Sequence, residues 1–177
     1  MKQQLIAVIL GTDQVGILSD IATLVSESDC NILDSRHAIY GQEFSLTMII
    51  EGTHNAITRV ELSIPEMCQR RDLLSILKRT REHTKQNLTH LYDVEFNGVD
   101  NPGQIQAITR FFADQQVSIS AFRQTTSVDD ETGHKMMRFK LVVNIPDDVA
   151  MPEFRYNLNL LCQVLHLTSN IIDKHKG

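Results

Sequence analysis

Residues 5–10 are apolar without a break, and the apolar pattern then stops at Gly11 and resumes at Ile17, Leu18, Ile21, Leu24 and Val25. The first run has the length of a buried strand. The second spacing puts one apolar stripe along a helix. Residues 26–29 end that stripe. Residues 31–40 and 44–50 read as two strands around Gly41-Gln42-Glu43, a hairpin signal. Asn55 is the expected N-cap of a helix reaching about Ser63. Pro65 either kinks that helix or opens another turn, and residues 73–77 read as a closing strand.

The pattern then repeats. Asp13, Gly16, Leu18, Ile21 and Ile32 fall on Asp100, Gly103, Ile105, Ile108 and Ile119, each 87 residues further on and without a gap. Both copies carry Gly-x-Asp-x-x-Gly between a strand-like run and a helical one. The second copy predicts strand 92–96, helix 103–114, strands 118–126 and 135–144, helix 152–165 and strand 168–173. Its hairpin loop, 127–134, is longer and acidic. Residues 80–90 are polar and read as a linker, giving domains at 1–79 and 91–177. Two βαββαβ units in series predict an α+β, ferredoxin-like plan: a four-stranded antiparallel sheet with both helices on one face.

Charge and chemistry narrow the function. The net charge of −5 argues against a chain whose main work is neutralising phosphates. Cys30, Cys68 and Cys162 are widely spaced, so neither a disulfide framework nor a zinc site is expected. The apolar run near Met1 is too short for a signal peptide or a membrane span, and a cytoplasmic protein is expected. None of the seven histidines has HxxxH or HExxH spacing. No nucleophile elbow or Walker loop is present. No metal, cofactor or catalytic residue is expected.

The densest basic stretch is Arg70-Arg71 with Lys78-Arg79-Thr80-Arg81. It reads as an exposed border to the linker, as a patch for an acidic partner, or as a short DNA contact without a helix-turn-helix around it. Arg36 and Arg123 are related by the repeat. They are expected to satisfy carboxylates or to join a partner contact.

The loop Asp13-Gln14-Val15-Gly16-Ile17 resembles the Asp-x-Pro-Gly-Leu/Ile signature of ACT domains, with Val15 in place of the proline. Asn31-Ile32-x-Asp34-Ser35-Arg36, Gly41-x-Glu43-Phe44, Asn55-Ala56-Ile57-Thr58 and Lys78-Arg79-Thr80 extend the likeness. With the tandem layout, the chain resembles the bacterial glycine cleavage system transcriptional repressor family. That resemblance implies a non-enzymatic regulator that represses glycine cleavage genes indirectly, by contact with a DNA-bound LysR-type regulator. It further implies a small amino acid, glycine above all, at the first loop. In the second copy Pro102-Gly103 is intact, but Gln104 stands where an apolar residue is usual.

The chemistry of such a loop is simple. Amides at a helix start and the positive end of its dipole suit a carboxylate. Gly16 leaves the approach open. Asp13, or the carbonyl of Asn31, would take the ammonium. The expected site is Asp13, Gln14, Val15, Gly16, Ile17, Asn31 and Ile32, with a second at Asp100, Asn101, Pro102 and Gly103. The plainer reading leaves Asp13 as a helix cap and Gly16 as a turn residue.

Three functions follow in descending order: a transcriptional modulator, an amino-acid-responsive allosteric subunit of a metabolic enzyme, and a direct DNA repressor. A two-fold homodimer is the default oligomer.

Overall fold

The computed structural model describes residues 2–80 and 90–174. Unit one contains β1 (Lys2–Thr12), α1 (Ile17–Glu27), β2 (Asn31–Tyr40), β3 (Glu43–Thr53), α2 (His54–Arg70) and β4 (Leu74–Thr80). Unit two contains β5 (Leu91–Val99), α3 (Gln104–Asp114), β6 (Ser118–Val128), β7 (Lys135–Asn144), α4 (Met151–Leu165) and β8 (Leu167–Asp173). Each unit is one antiparallel four-stranded sheet, of order β2-β3-β1-β4 or β6-β7-β5-β8. The chain divides into compact units at Met1–Thr84 and Lys85–Gly177. Most of the expected linker, residues 81–89, lies outside the described residues.

Strand periodicity builds each core. Leu5, Ala7 and Ile9 on β1 alternate with outward positions, as do Phe44, Leu46, Met48 and Ile50 on β3, and they meet Ile17, Ile21 and Val25 of α1. Unit two is filled by rings instead: Phe96, Phe112, Phe139 and Phe154 are fully buried in mutual contact. Truncating one such ring costs about 3–5 kcal/mol. The repeat extends to irregularities. The register slips between Ile32 and Asp34 and again between Ile119 and Ala121.

α2 departs from expectation at both ends. Its N-cap is Thr53, whose hydroxyl accepts from the Ala56 amide at 3.3 Å, rather than Asn55. It runs through Pro65 to Arg70 instead of ending near Ser63. The missing amide of an interior proline costs about 3 kcal/mol. Here Ala56, Ile57, Val60, Ile64 and Cys68 form one buried stripe on both sides of Pro65, and their burial outweighs it.

The outward faces of the sheets differ. Unit one turns Leu10, Leu74 and Ile76 outward, each substantially exposed. Unit two turns out Glu95, Arg123, Arg138 and Lys140.

Candidate functional site

The glycines of the repeated Gly-x-Asp-x-x-Gly have separate tasks. Gly11 and Gly98 allow close approach: a Cβ on Gly98 would lie 2.6 Å from Leu167 Cδ2 and 2.9 Å from the His166 carbonyl, and one on Gly11 would strike the Leu73 side chain. Gly16 and Gly103 are the helix N-caps, at φ +88° and +87°, with open space where a side chain would start. Only glycine adopts that backbone without strain.

No side chain caps α1 or α3, so Asp13 is not the helix cap that the plainer reading assigned to it. Its amide instead donates to the Gln42 carbonyl at 2.8 Å, and that of Asp100 donates to Lys135 at 2.7 Å. The two amides tie each loop to the hairpin of its unit. The Asp13 carboxylate stays exposed. In α1 the Ile17 amide reaches Gln14 O at 3.2 Å, and the Asp20 amide reaches Gly16 O at 3.0 Å. Between them, the amides of Leu18 and Ser19 have no partner among the described residues. Unsatisfied donors at a helix start, with the dipole behind them, favour an anion. Val15 projects fully into solvent at the tip of the loop.

Gln14 faces inward. Its Nε2 donates to the Arg71 carbonyl at 3.0 Å, and Arg71 reaches back to Gln14 Oε1 at 3.4 Å while pairing with Asp20. Arg71 and Asp20 also border an open groove of about 560 Å³ between α1 and α2. In unit two, Gln104 is buried, with its Nε2 donating to Val99 O and Leu165 O, both at 3.1 Å, and its Oε1 accepting from the Asn101 amide at 3.0 Å. The polar residue in an apolar place thus braces the second loop from inside. Gly103 opens onto a depression of about 520 Å³ along α3 that includes Gln106 and Arg110. Asn101 and Pro102 are exposed beside it, and Asp100 is half-buried.

Asn31 and Ile32 are not brought to this loop. Asn31 pairs with Glu51, which pairs with Gln4 at the start of β1, whereas the loop leaves β1 after Thr12. Eight residues of strand separate them, roughly 27 Å at about 3.4 Å per residue. The β2 strand is also separated from β1 by β3. Antiparallel pairing sends the first residues of β2 to the end of the sheet opposite the loop.

The basic stretch is largely engaged. Arg70 pairs with Glu66, Arg71 with Asp20, and Arg79 with Glu61 through two contacts of 2.8 and 2.6 Å. Arg79 also donates to Gln3 and Thr58. It fastens α2 to the sheet, and its partner Glu61 is held below the usual carboxylate range by that hydrogen bond. Arg81 lies outside the described residues. Burial pushes the Cys68 and Cys162 thiols up, opposed by hydrogen bonds involving Ser75 and Ser169, so both serve as packing groups. Among the described residues no helix is long and apolar enough to cross a membrane.

The comparisons agree with this architecture. Residues 3–77 match the ACT domain family. Over 170 residues the chain is 28% identical to the glycine cleavage system transcriptional repressor of Escherichia coli K12, covering 96% of this chain and 90% of that one. The Shigella flexneri repressor matches equally. A crystal structure bearing the same repressor name is 28% identical at a TM-score of 0.77, covering 98% of both chains. A Galdieria sulphuraria protein of unknown role shares the fold at 18% identity and a TM-score of 0.78. The chain is thus similar along nearly its whole length to the glycine cleavage system transcriptional repressors, with the ACT domain match falling on residues 3–77.

Proposed function

We propose that this chain is a non-enzymatic transcriptional regulator that represses glycine cleavage genes indirectly, through contact with a DNA-bound LysR-type regulator. Glycine or a close relative at the β1–α1 loop modulates that contact. The observation that carries the reading is end-to-end similarity to repressors of that name. It is supported by a loop whose first helical turn leaves two amides unpartnered beside an exposed carboxylate.

In this reading the ligand's carboxylate meets the Leu18 and Ser19 amides, with Gly16 leaving the approach clear and Asp13 taking the ammonium. Gln14 and Ile17 hold the loop in place. Val15, at the exposed tip, lies over the ligand or against the partner. Asn31 and Ile32, at the far end of the sheet from this loop, take no part in its site. The second loop, Asp100 to Gly103, is braced by Gln104 and is the weaker candidate. Coupling requires that glycine bind the partner-free and partner-bound states with different affinity.

Affinity capture with the tagged full-length chain, with and without millimolar glycine, tests both halves. The expected result is recovery of a LysR-type regulator in an amount that glycine changes. Recovery of a metabolic enzyme instead assigns the chain as an allosteric subunit. Capture unaffected by glycine removes the ligand from the mechanism.

A further inference from the structure

On the face of unit two turned away from its helices, Arg123 and Thr125 of β6 with Arg138 and Lys140 of β7 line a cavity of about 240 Å³. Arg138 and Lys140 alternate with the buried Met137, Phe139 and Leu141, which fixes the side of the sheet they occupy. The register sets Arg123 directly opposite Lys140, and Thr125 opposite Arg138. Like charges opposed across a strand pair repel each other, so this arrangement calls for a counter-charge.

The chain supplies that counter-charge only in part. Glu95 of β5 pairs with Arg138 and, at 3.2 Å, with Lys140. Arg123 has no carboxylate partner among the described residues. The Arg138 hydrogen bond leads in holding the Glu95 carboxyl down to about 2, so it is ionised at neutral pH. Three cations and one anion leave two positive charges around a small polar cavity. The fold itself does not demand this. In unit one Arg36 lies opposite Thr47, Ala38 lies opposite Ser45, and Val8 stands beside Thr47 where unit two has Glu95 beside Lys140.

We propose that this cluster is a binding site for the phosphate group of a small phosphate ester. Arg123, Arg138 and Lys140 would contact the oxygens, and the Thr125 hydroxyl would donate a further hydrogen bond. A phosphate monoester carries close to two negative charges at neutral pH, matching the residual charge, and guanidinium groups suit its oxygens. The site is separate from the first loop and does not depend on the amino-acid reading.

The test is a titration of the nitrogen-15-labelled full chain with inorganic phosphate, with sodium chloride adjusted to hold ionic strength constant. The expected result is saturable shifts of the amides of 123, 125, 138 and 140 in the millimolar range. R123Q should weaken binding about tenfold, the effect of one lost charge-assisted hydrogen bond. R36Q should titrate like the wild type. Shifts reproduced by chloride alone, shifts scattered over the surface, or an unchanged R123Q titration would overturn the proposal. The wild-type map decides the matter even if R123Q folds poorly. An oligonucleotide that shifts these amides more tightly than phosphate would reassign the surface to nucleic acid.

Discussion

Gln14 and Gln104 stand three positions apart in the frame of the repeat, yet their side-chain amides donate to equivalent carbonyls, those of Arg71 at 3.0 Å and Leu165 at 3.1 Å. Each ties the first loop of its unit to the end of the second helix. One is a loop residue reaching inward, and the other is a helix residue buried beneath the loop. The same mechanical task is therefore solved twice from different sequence positions.

That tie gives the first prediction. Gln104→Leu keeps the volume and restores an apolar side chain where unit one has Ile17, but it strips partners from the Asn101 amide and from two carbonyls. Leaving a buried polar group unpaired costs about 1–3 kcal/mol. Urea unfolding should show a loss of at least that order, and hydrogen exchange at Asn101 should accelerate. Wild-type stability in Gln104→Leu would mean that the brace carries no load.

The two kinds of glycine should respond differently to alanine. Gly16→Ala meets no atom within 4 Å, so its cost is the left-handed backbone, roughly 1–2 kcal/mol. Gly98→Ala meets the His166 carbonyl at 2.9 Å as well as Leu167. Main chain cannot rotate away, and overpacking adds about 1–3 kcal/mol. Thermal melts of both variants should show a loss, and crystal structures should show displacement around His166 only in Gly98→Ala.

Glu95→Gln should alter the pH profile of stability. The folded-state value of about 2 lies below the ordinary 4.5, so the ionised carboxylate is favoured by folding. Its contribution is complete above the ordinary value and is lost as pH falls from there through about 2. The gap in melting temperature between wild type and variant should be constant near neutrality, narrow below pH 4.5, and close near pH 2. A gap that widens on acidification would contradict the pairing with Arg138 and Lys140.

Glycine binding has a physical ceiling. Five non-hydrogen atoms at roughly 1.5 kcal/mol each allow about 7.5 kcal/mol, a Kd of several micromolar at the tightest. Calorimetry on the full chain should give a Kd between that limit and the millimolar range, weakened by Asp13→Ala. Absence of heat with millimolar glycine, serine and alanine would remove the first loop as a ligand site.

Much of the fold was legible because burial imposes periods on the chain. The alternation at Phe44, Leu46, Met48 and Ile50 predicts a half-buried strand, and the stripe at Ile17, Ile21 and Val25 predicts a helix. The α2 helix continues through Pro65, against the local signal, because the buried stripe that ends at Ile64 before it resumes at Cys68 beyond it. The candidate site was legible only as a loop. Gly16 announces its turn, but nothing local tells which end of the sheet receives Asn31.

Sequence alone determined the two repeats, their α+β plan and the special backbone at Gly16 and Gly103, since period, steric allowance and duplication are written in neighbouring residues. Tertiary structure decided the rest. It set Asn31 a strand-length away from the loop, turned Gln104 from an oddity into a brace, and gathered Arg123, Arg138 and Lys140 around one cavity. Those relations depend on strand order and register, which are settled by the packing of distant segments and not by any one stretch of chain.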